Sequence, residues 1–151
     1  MVSLTLAIKL KQAGLAWQPA LHDFFAIPQP ELEDRLFVLS DMTIEIEPIF
    51  GWQAITFNGA VEWSLDYIMT AEVVWVPTES QLREMLQEHL LAEEQPAVQL
   101  LSSISGYHCQ ITFGGNIHEF EAPTASDAYG QALLFLMQGG ERWAGANGIQ
   151  A

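Results

Sequence analysis

The sequence predicts an α+β fold: a mixed or antiparallel sheet packed by helices, ending in a β-hairpin followed by a helix. Three observations carry that expectation. Apolar residues recur at helical spacing near both ends of the chain and again after residue 78. Between them lie short runs that alternate or are continuously apolar, bounded by turn residues. Helical and strand segments are interleaved without the regular alternation of a doubly wound sheet. At 151 residues the chain suits one core, so residues 1–140 are expected to form a single α+β domain. A composition shift at Glu93 to Pro96 offers a subdomain break near residues 94–96. Residues 141–151, Gly- and Ala-rich around Trp143, are expected to form a loosely held tail.

Taken in order, Ser3 can cap a helix over Leu4 to Ala13, and Gly14 stands at the C′ position. That helix is apolar around much of its circumference, with Lys9 and Lys11 on the remainder. Leu15 to Leu32 follows as an irregular connector. Pro19, Pro28 and Pro30 interrupt regular structure, while Trp17, Phe24, Phe25 and Ile27 make the segment greasy enough to wrap over the core. Arg35 to Ser40 reads as a strand rich in apolar and branched residues. Thr43 to Ile49 alternates Ile44 and Ile46 with Glu45 and Glu47, the period of a half-exposed strand. Trp52 to Phe57 is a third strand, closed by the turn dipeptide Asn58-Gly59. Val61 to Met69 is expected to be helical, because Val61, Leu65, Ile68 and Met69 fall at i, i+4, i+7 and i+8.

Glu72 to Val76 is a strand ended by Pro77. Thr78 then caps a strong helix, with Gln81 completing a capping box. Leu82, Met85, Leu86, His89 and Leu90 form its buried stripe. Val98 to Ile104, Tyr107 to Phe113 and Ile117 to Glu121 are strands, the last two joined about Gly114-Gly115. Pairing Phe113 with Asn116 sets Ile111 opposite His118, Cys109 opposite Phe120, Gln110 opposite Glu119 and His108 opposite Glu121. One face is then mostly apolar and the other polar. A slip by one residue would set Glu119 against Ile111 on a buried face. Thr124 caps a final helix, with Asp127 in its first turn and Ala125, Ala128, Ala132, Leu133, Leu136 and Met137 on its packing side.

Charge narrows the function. The chain carries 19 acidic residues against 5 Lys plus Arg, for a net charge of −14. So few cations cannot neutralise phosphates, which argues against nucleic acid as a partner. Anionic membrane surfaces are disfavoured for the same reason. No run reaches the roughly 18 apolar residues that a span requires. Lys9 and Lys11 interrupt any secretory apolar region. The one cysteine, Cys109, can form no internal disulfide, so a cytoplasmic protein is expected. The phosphate loop, the dinucleotide fingerprint, the local zinc signatures and the nucleophile elbow are all missing. No cofactor, metal ligand or catalytic residue is assigned.

Four constellations remain. His118 and Cys109 should share a hairpin face, where a soft metal could in principle bind; the competing reading is a packed thiol and a satisfied histidine. His108 opposite Glu121 has the makings of an acid–base pair, or of an exposed cross-strand charge pair. Trp17, His22, Asp23, Phe24 and Phe25 cluster in the proline-punctuated connector. They can plug that segment onto the core, or form an aromatic patch rimmed by acids together with Trp75. Finally, eleven acids from Asp23 to Glu79 face one base, Arg35, between residues 12 and 82. That field solubilises the chain, or complements a basic protein.

Two stretches also carry a resemblance. Gly14-Leu15-Ala16-Trp17-Gln18-Pro19 with Asp23-Phe24-Phe25, and Val74-Trp75-Val76-Pro77-Thr78-Glu79 leading into Gln81-Leu82, resemble a family of small uncharacterised bacterial proteins, some associated with prophages. Some members are labelled pilus assembly protein of the CpaE type. The resemblance spans roughly residues 1–92 and implies a bacterial cytoplasmic protein. The pilus label would imply a receiver-like or ATPase domain, for which this chain has no phosphate loop. The hairpin and last helix are similar to small β-β-α layers of phage proteins and antitoxins.

The leading expectation is a non-enzymatic acidic module that binds a protein, either a second copy of itself as a homodimer or a basic partner. The alternative is a small-molecule binder or modest enzyme with a pocket lined by Trp17, Phe24, Trp52 and Trp63. A third is a pilus assembly accessory protein without ATPase activity.

Overall fold

The computed structural model describes residues 1–32, 35–40, 44–57 and 67–139, with residues 44, 45 and 57 described through their backbone. The chain is an α+β protein that divides into two compact units. One comprises Met1–Leu15 and Thr78–Ala151, the other Ala16–Pro77. Residues 93–96 lie inside the first unit, where the Glu93 carboxylate accepts a bond of 3.1 Å from the Gly114 amide. The expected Asn58-Gly59 turn, residues 61–66 of the expected helix, Trp63 and the tail at 141–151 lie outside the described residues.

The first unit begins with helix α1, Leu4–Gln12. Ser3 occupies the N-cap position without a capping bond from its side chain. Its backbone amide instead donates to Asp127 Oδ1 at 2.7 Å. The helix ends as expected at Gly14, whose φ of +99° suits a residue without a Cβ. The Gly14 amide reaches the Lys11 carbonyl and the Leu15 amide reaches the Leu10 carbonyl, the two bonds of a Schellman motif.

Helix α2, Glu79–Leu90, carries the expected capping box. The Gln81 amide donates to Thr78 Oγ1, and the Thr78 amide donates to Gln81 Oε1. Leu82, Leu86 and Leu90 are buried on its inner stripe. His89, expected on that stripe, is exposed, and its Nδ1 lies 2.8 Å from the Met85 carbonyl in the last turn. The ring thus folds back on its own helix, and its polar nitrogen stays on the solvent side instead of entering the apolar stripe.

Three antiparallel strands follow: β7, Val98–Ser103; β8, Gly106–Phe113; and β9, Asn116–Ala122. The β8–β9 register is the one the apolar pattern requires: Phe113 pairs with Asn116, Ile111 with His118, Cys109 with Phe120 and His108 with Glu121. Gly114 and Gly115 both take positive φ, as a two-residue turn with the strands' own twist demands. Helix α3, Ala125–Met137, is capped by Thr124 Oγ1, which accepts from the Asp127 amide. It packs on β8 and β9, and both α1 and α2 pack on it. It is buried nearly all round, from Ala125 to Leu136.

The second unit holds two three-stranded antiparallel sheets. In one, β1 (Phe24–Ala26) lies between β2 (Leu36–Val38) and β6 (Val74–Trp75). In the other, β4 (Trp52–Phe57) lies between β3 (Ile44–Ile49) and β5 (Tyr67–Met69). The strand β5 corrects the expectation of helix at residues 67–69. Ile68 pairs with Ile55 across β4, and both are buried in the core. This pairing is non-local, so the helical spacing of four apolar residues could not register it. One core joins the sheets, built from Phe25, Ile27, Phe37, Leu39, Ile55, Ile68 and Val73, with Trp17, Leu32 and Ile46 packed against it.

Close packing of α1 on α3 turns on one glycine. A Cβ at Gly130 would sit 2.8 Å from Leu6 Cδ2 and 3.1 Å from Val2 Cγ2. Gly130→Ala should therefore destabilise the protein by about 1 kcal/mol, overpacking outweighing the gain in helix propensity. In a Leu6→Ala background the same change should be neutral or stabilising, because the new methyl enters the vacated space. Urea unfolding of the four proteins checks this; equal effects in both backgrounds would refute the contact.

Candidate functional site

The sequence-nominated cluster in the connector resolves into a hydrogen-bonded pin. Asp23 is 4% exposed and immediately precedes β1. Its Oδ2 accepts from the Trp17 indole Nε1 at 2.9 Å and from the Ala20 amide at 3.0 Å. A buried carboxylate is stable only with such donors. The bonds fix the Trp17 ring, which stacks on Trp75 at 6.5 Å between centroids and 9° between planes, and tilts against Phe25 at 5.9 Å. Trp17, Asp23 and Trp75 are thus brought together, and Phe24 in β1 is half-buried, its carbonyl accepting from the Val76 amide. His22 points the other way in exposure. It is solvent-exposed with φ of +70°, a conformation histidine tolerates better than most residues, and its amide donates to the Leu39 carbonyl. His22 and Asp23 are therefore neighbours in sequence that do not act as a pair.

Among the described residues of 16–77, the most exposed aromatics lie elsewhere. Strands β3 and β4 are joined by Phe50 and Gly51, with φ of +51° and +82°. Positive φ at both central positions suits Asn or Gly, whereas Phe there is a genuine outlier. Phe50 is 86% exposed, and Trp52, which pairs with Ile49 at the first position of β4, is 73% exposed. A tryptophan so exposed is not a wall of an enclosed pocket. The sequence carries one usable signal for this tip: two strand-like runs, Thr43 to Ile49 and Trp52 to Phe57, separated by only two residues. Phe-Gly is not a recognised turn dipeptide, so the sequence does not announce the hairpin.

On the β7–β8–β9 sheet, His108 is held between two carboxylates of β9. Its Nδ1 lies 3.3 Å from Glu121 Oε1 and its Nε2 3.7 Å from Glu119 Oε2. Gln110 Nε2 donates to Glu119 at 2.6 Å. Ser103 and Ser105 share an open recess of about 270 Å³ with His108 and Glu121. Their hydroxyls bond to each other at 2.9 Å, and Ser103 also donates to the Gly106 carbonyl. Neither hydroxyl is held against the imidazole. Exposed pairs of this kind contribute about 0.2–1 kcal/mol.

Cys109 and His118 do share the inner face of that sheet. The His118 ring packs 4.6 Å from the Phe135 centroid, with its Nε2 3.3 Å from the Phe113 carbonyl. Cys109 is wholly buried, and burial pushes its thiol up to about 11. Burial also raises the Tyr129 phenol, with the neighbouring Cys109 adding to the shift. Among the described residues, no group of three or more His, Cys, Asp or Glu side chains could hold a metal ion. No helix of the described residues is long and apolar enough to cross a membrane. No family model matches the chain, and neither a curated protein nor a solved structure does.

Two predictions follow from these surroundings. Asp23→Ala should cost about 2–3 kcal/mol in urea unfolding, because the Trp17 indole and the Ala20 amide lose their buried acceptor; a cost near zero would mean that the bonds carry no stability. Burial of Cys109 gives a pH dependence as well. The folded state holds the thiol proton more tightly than the unfolded chain, so the stabilisation is complete below pH 9 and lost as pH rises towards 11. Stability measured across that window should fall more steeply for the parent than for Cys109→Ala, and identical slopes would refute the assignment.

Proposed function

We propose that this chain is a non-enzymatic protein-interaction module that docks through exposed aromatic side chains in an acidic field. The observation that carries this reading is the β3–β4 tip. A bulky aromatic occupies a left-handed turn position at a cost of about 1–2 kcal/mol, and its own side chain recovers little of that cost by burial. Strain retained at an exposed tip has its natural explanation in a contact made with something else. A basic partner suits the charge better than a second copy, since two chains of net charge −14 repel one another. The imidazole of His108 and the thiol of Cys109 are engaged in pairing and packing, which supports binding over catalysis. We take the module to be cytoplasmic, because its single thiol can form no internal disulfide.

Two measurements test this. Phe50→Asn should raise the stability by about 1 kcal/mol in urea unfolding, because asparagine tolerates the turn. Affinity capture from the native host, run with the parent and with Phe50→Asn/Trp52→Ser, should retain a protein partner only with the parent. Identical captures with both proteins would sink the reading.

A further inference from the structure

We propose that the strand face carrying Glu47 and Trp52 binds an arginine- or lysine-bearing segment of another protein, with the cation seated against the Trp52 indole and paired with Glu47. The inference rests on the interaction reading above and specifies what that surface recognises. The β3–β4 register supplies the geometry. Glu47 pairs with Ala54 and Ile49 pairs with Trp52, so Glu47, Ile49 and Trp52 stand on one face. The opposite face carries Ile46 and Ile55 into the core. Glu47 and Trp52 are diagonal cross-strand neighbours, a separation of about 7–8 Å that long and aromatic side chains span. Both are exposed, so a ring face and a carboxylate are presented together to an incoming group.

That pairing of chemistries selects a cation. An indole offers the best aromatic face for a guanidinium or ammonium group, and a carboxylate beside it supplies the counter-charge. Charge complementarity points the same way. Residues 16–77 contain ten Asp and Glu against the single cation Arg35, so the surface meets little competition from cations of its own unit. An anionic or neutral apolar partner would leave the carboxylates unanswered.

The test is a titration of the whole ¹⁵N-labelled chain in about 0.15 M salt, where long-range attraction is screened beyond about 8 Å. The probe is hexa-arginine, with hexa-citrulline as a neutral mimic of similar shape. The Trp52 indole resonance is assigned by its loss in Trp52→Phe. Hexa-arginine should move that resonance saturably, and hexa-citrulline should not. Read from the β3 and β4 backbone amide resonances, which every variant retains, Trp52→Leu should weaken binding about threefold to fivefold, Trp52→Tyr by less than about twofold, and Glu47→Gln by about twofold to fivefold. Unchanged Trp17 and Trp75 indole resonances certify folding of each variant. Binding equal in Trp52→Leu and Trp52→Tyr would overturn the proposal, as would hexa-arginine binding that leaves the Trp52 resonance in place. So would movement of that resonance by phosphatidylcholine vesicles or by protein concentration alone, in place of the peptide. If capture from the host depends on the Phe50 and Trp52 tip while hexa-arginine leaves Trp52 untouched, the interaction module stands and this assignment falls.

Discussion

A helix buried around most of its circumference must be covered from several directions, and α3 imposes that requirement on the unit formed by Met1–Leu15 and Thr78–Ala151. From Ala125 to Leu136 its residues are buried with little interruption. Covering Leu133, Leu134, Phe135 and Leu136 stabilises the fold by about 1.5–3 kcal/mol per side chain. No single neighbour can do this. The sheet of β8 and β9 takes one side through Cys109, Ile111 and Phe120, with Phe135 meeting the Phe113, His118 and Phe120 rings. Helices α1 and α2 take the rest. Small residues on α3 then become necessary, since a helix approached from several directions has little room for side chains. Gly130, already in contact distance of Leu6 and Val2, is where that lack of room is most acute.

This constraint explains why the same unit was the most legible in the sequence. Its elements are long enough for periodicity to speak, and its caps are local. Thr78 with Gln81 and Thr124 with Asp127 each act within three residues, so spacing alone exposes them. The hairpin register follows from Ile111, Cys109 and Phe120 needing one face while Gln110, Glu119 and Glu121 need the other. The exceptions are instructive. Ser3 looks like a cap by type and position, yet its amide is satisfied by Asp127, 124 residues away in the chain. His89 fits the helical stripe and leaves it for a carbonyl in its own last turn.

Residues 16–77 resist the same treatment because their strands are two to six residues long and their partners are distant. Trp75 and Phe25 pair across fifty residues of chain, and β5 forms only because β4 is there to receive it. Asp23 shows the limit most clearly for the site. Its sequence neighbours suggested an aromatic patch, and the aromatics are indeed gathered there. What the sequence could not convey is that the carboxylate faces inward and orients Trp17 for stacking. Among the described residues, the most exposed aromatics sit instead at Phe50 and Trp52, where the turn chemistry is wrong for the conformation adopted.

The two acidic surfaces differ in a way that bears on function. On the β7–β8–β9 sheet, Glu119 and Glu121 already have His108 between them, and Glu119 also accepts from Gln110. The side chains of that cluster are engaged with one another, and a ligand would have to displace bonds the sheet makes for itself. The β3–β4 tip is different in kind. Exposed Glu47 stands beside an exposed indole, and Arg35 is the only lysine or arginine in its unit. The uncovered ring stays hydrated at a free-energy cost, and the acidic residues of the unit repel one another. A cationic side chain laid on the ring relieves both at once, which neither an apolar nor an anionic partner can do.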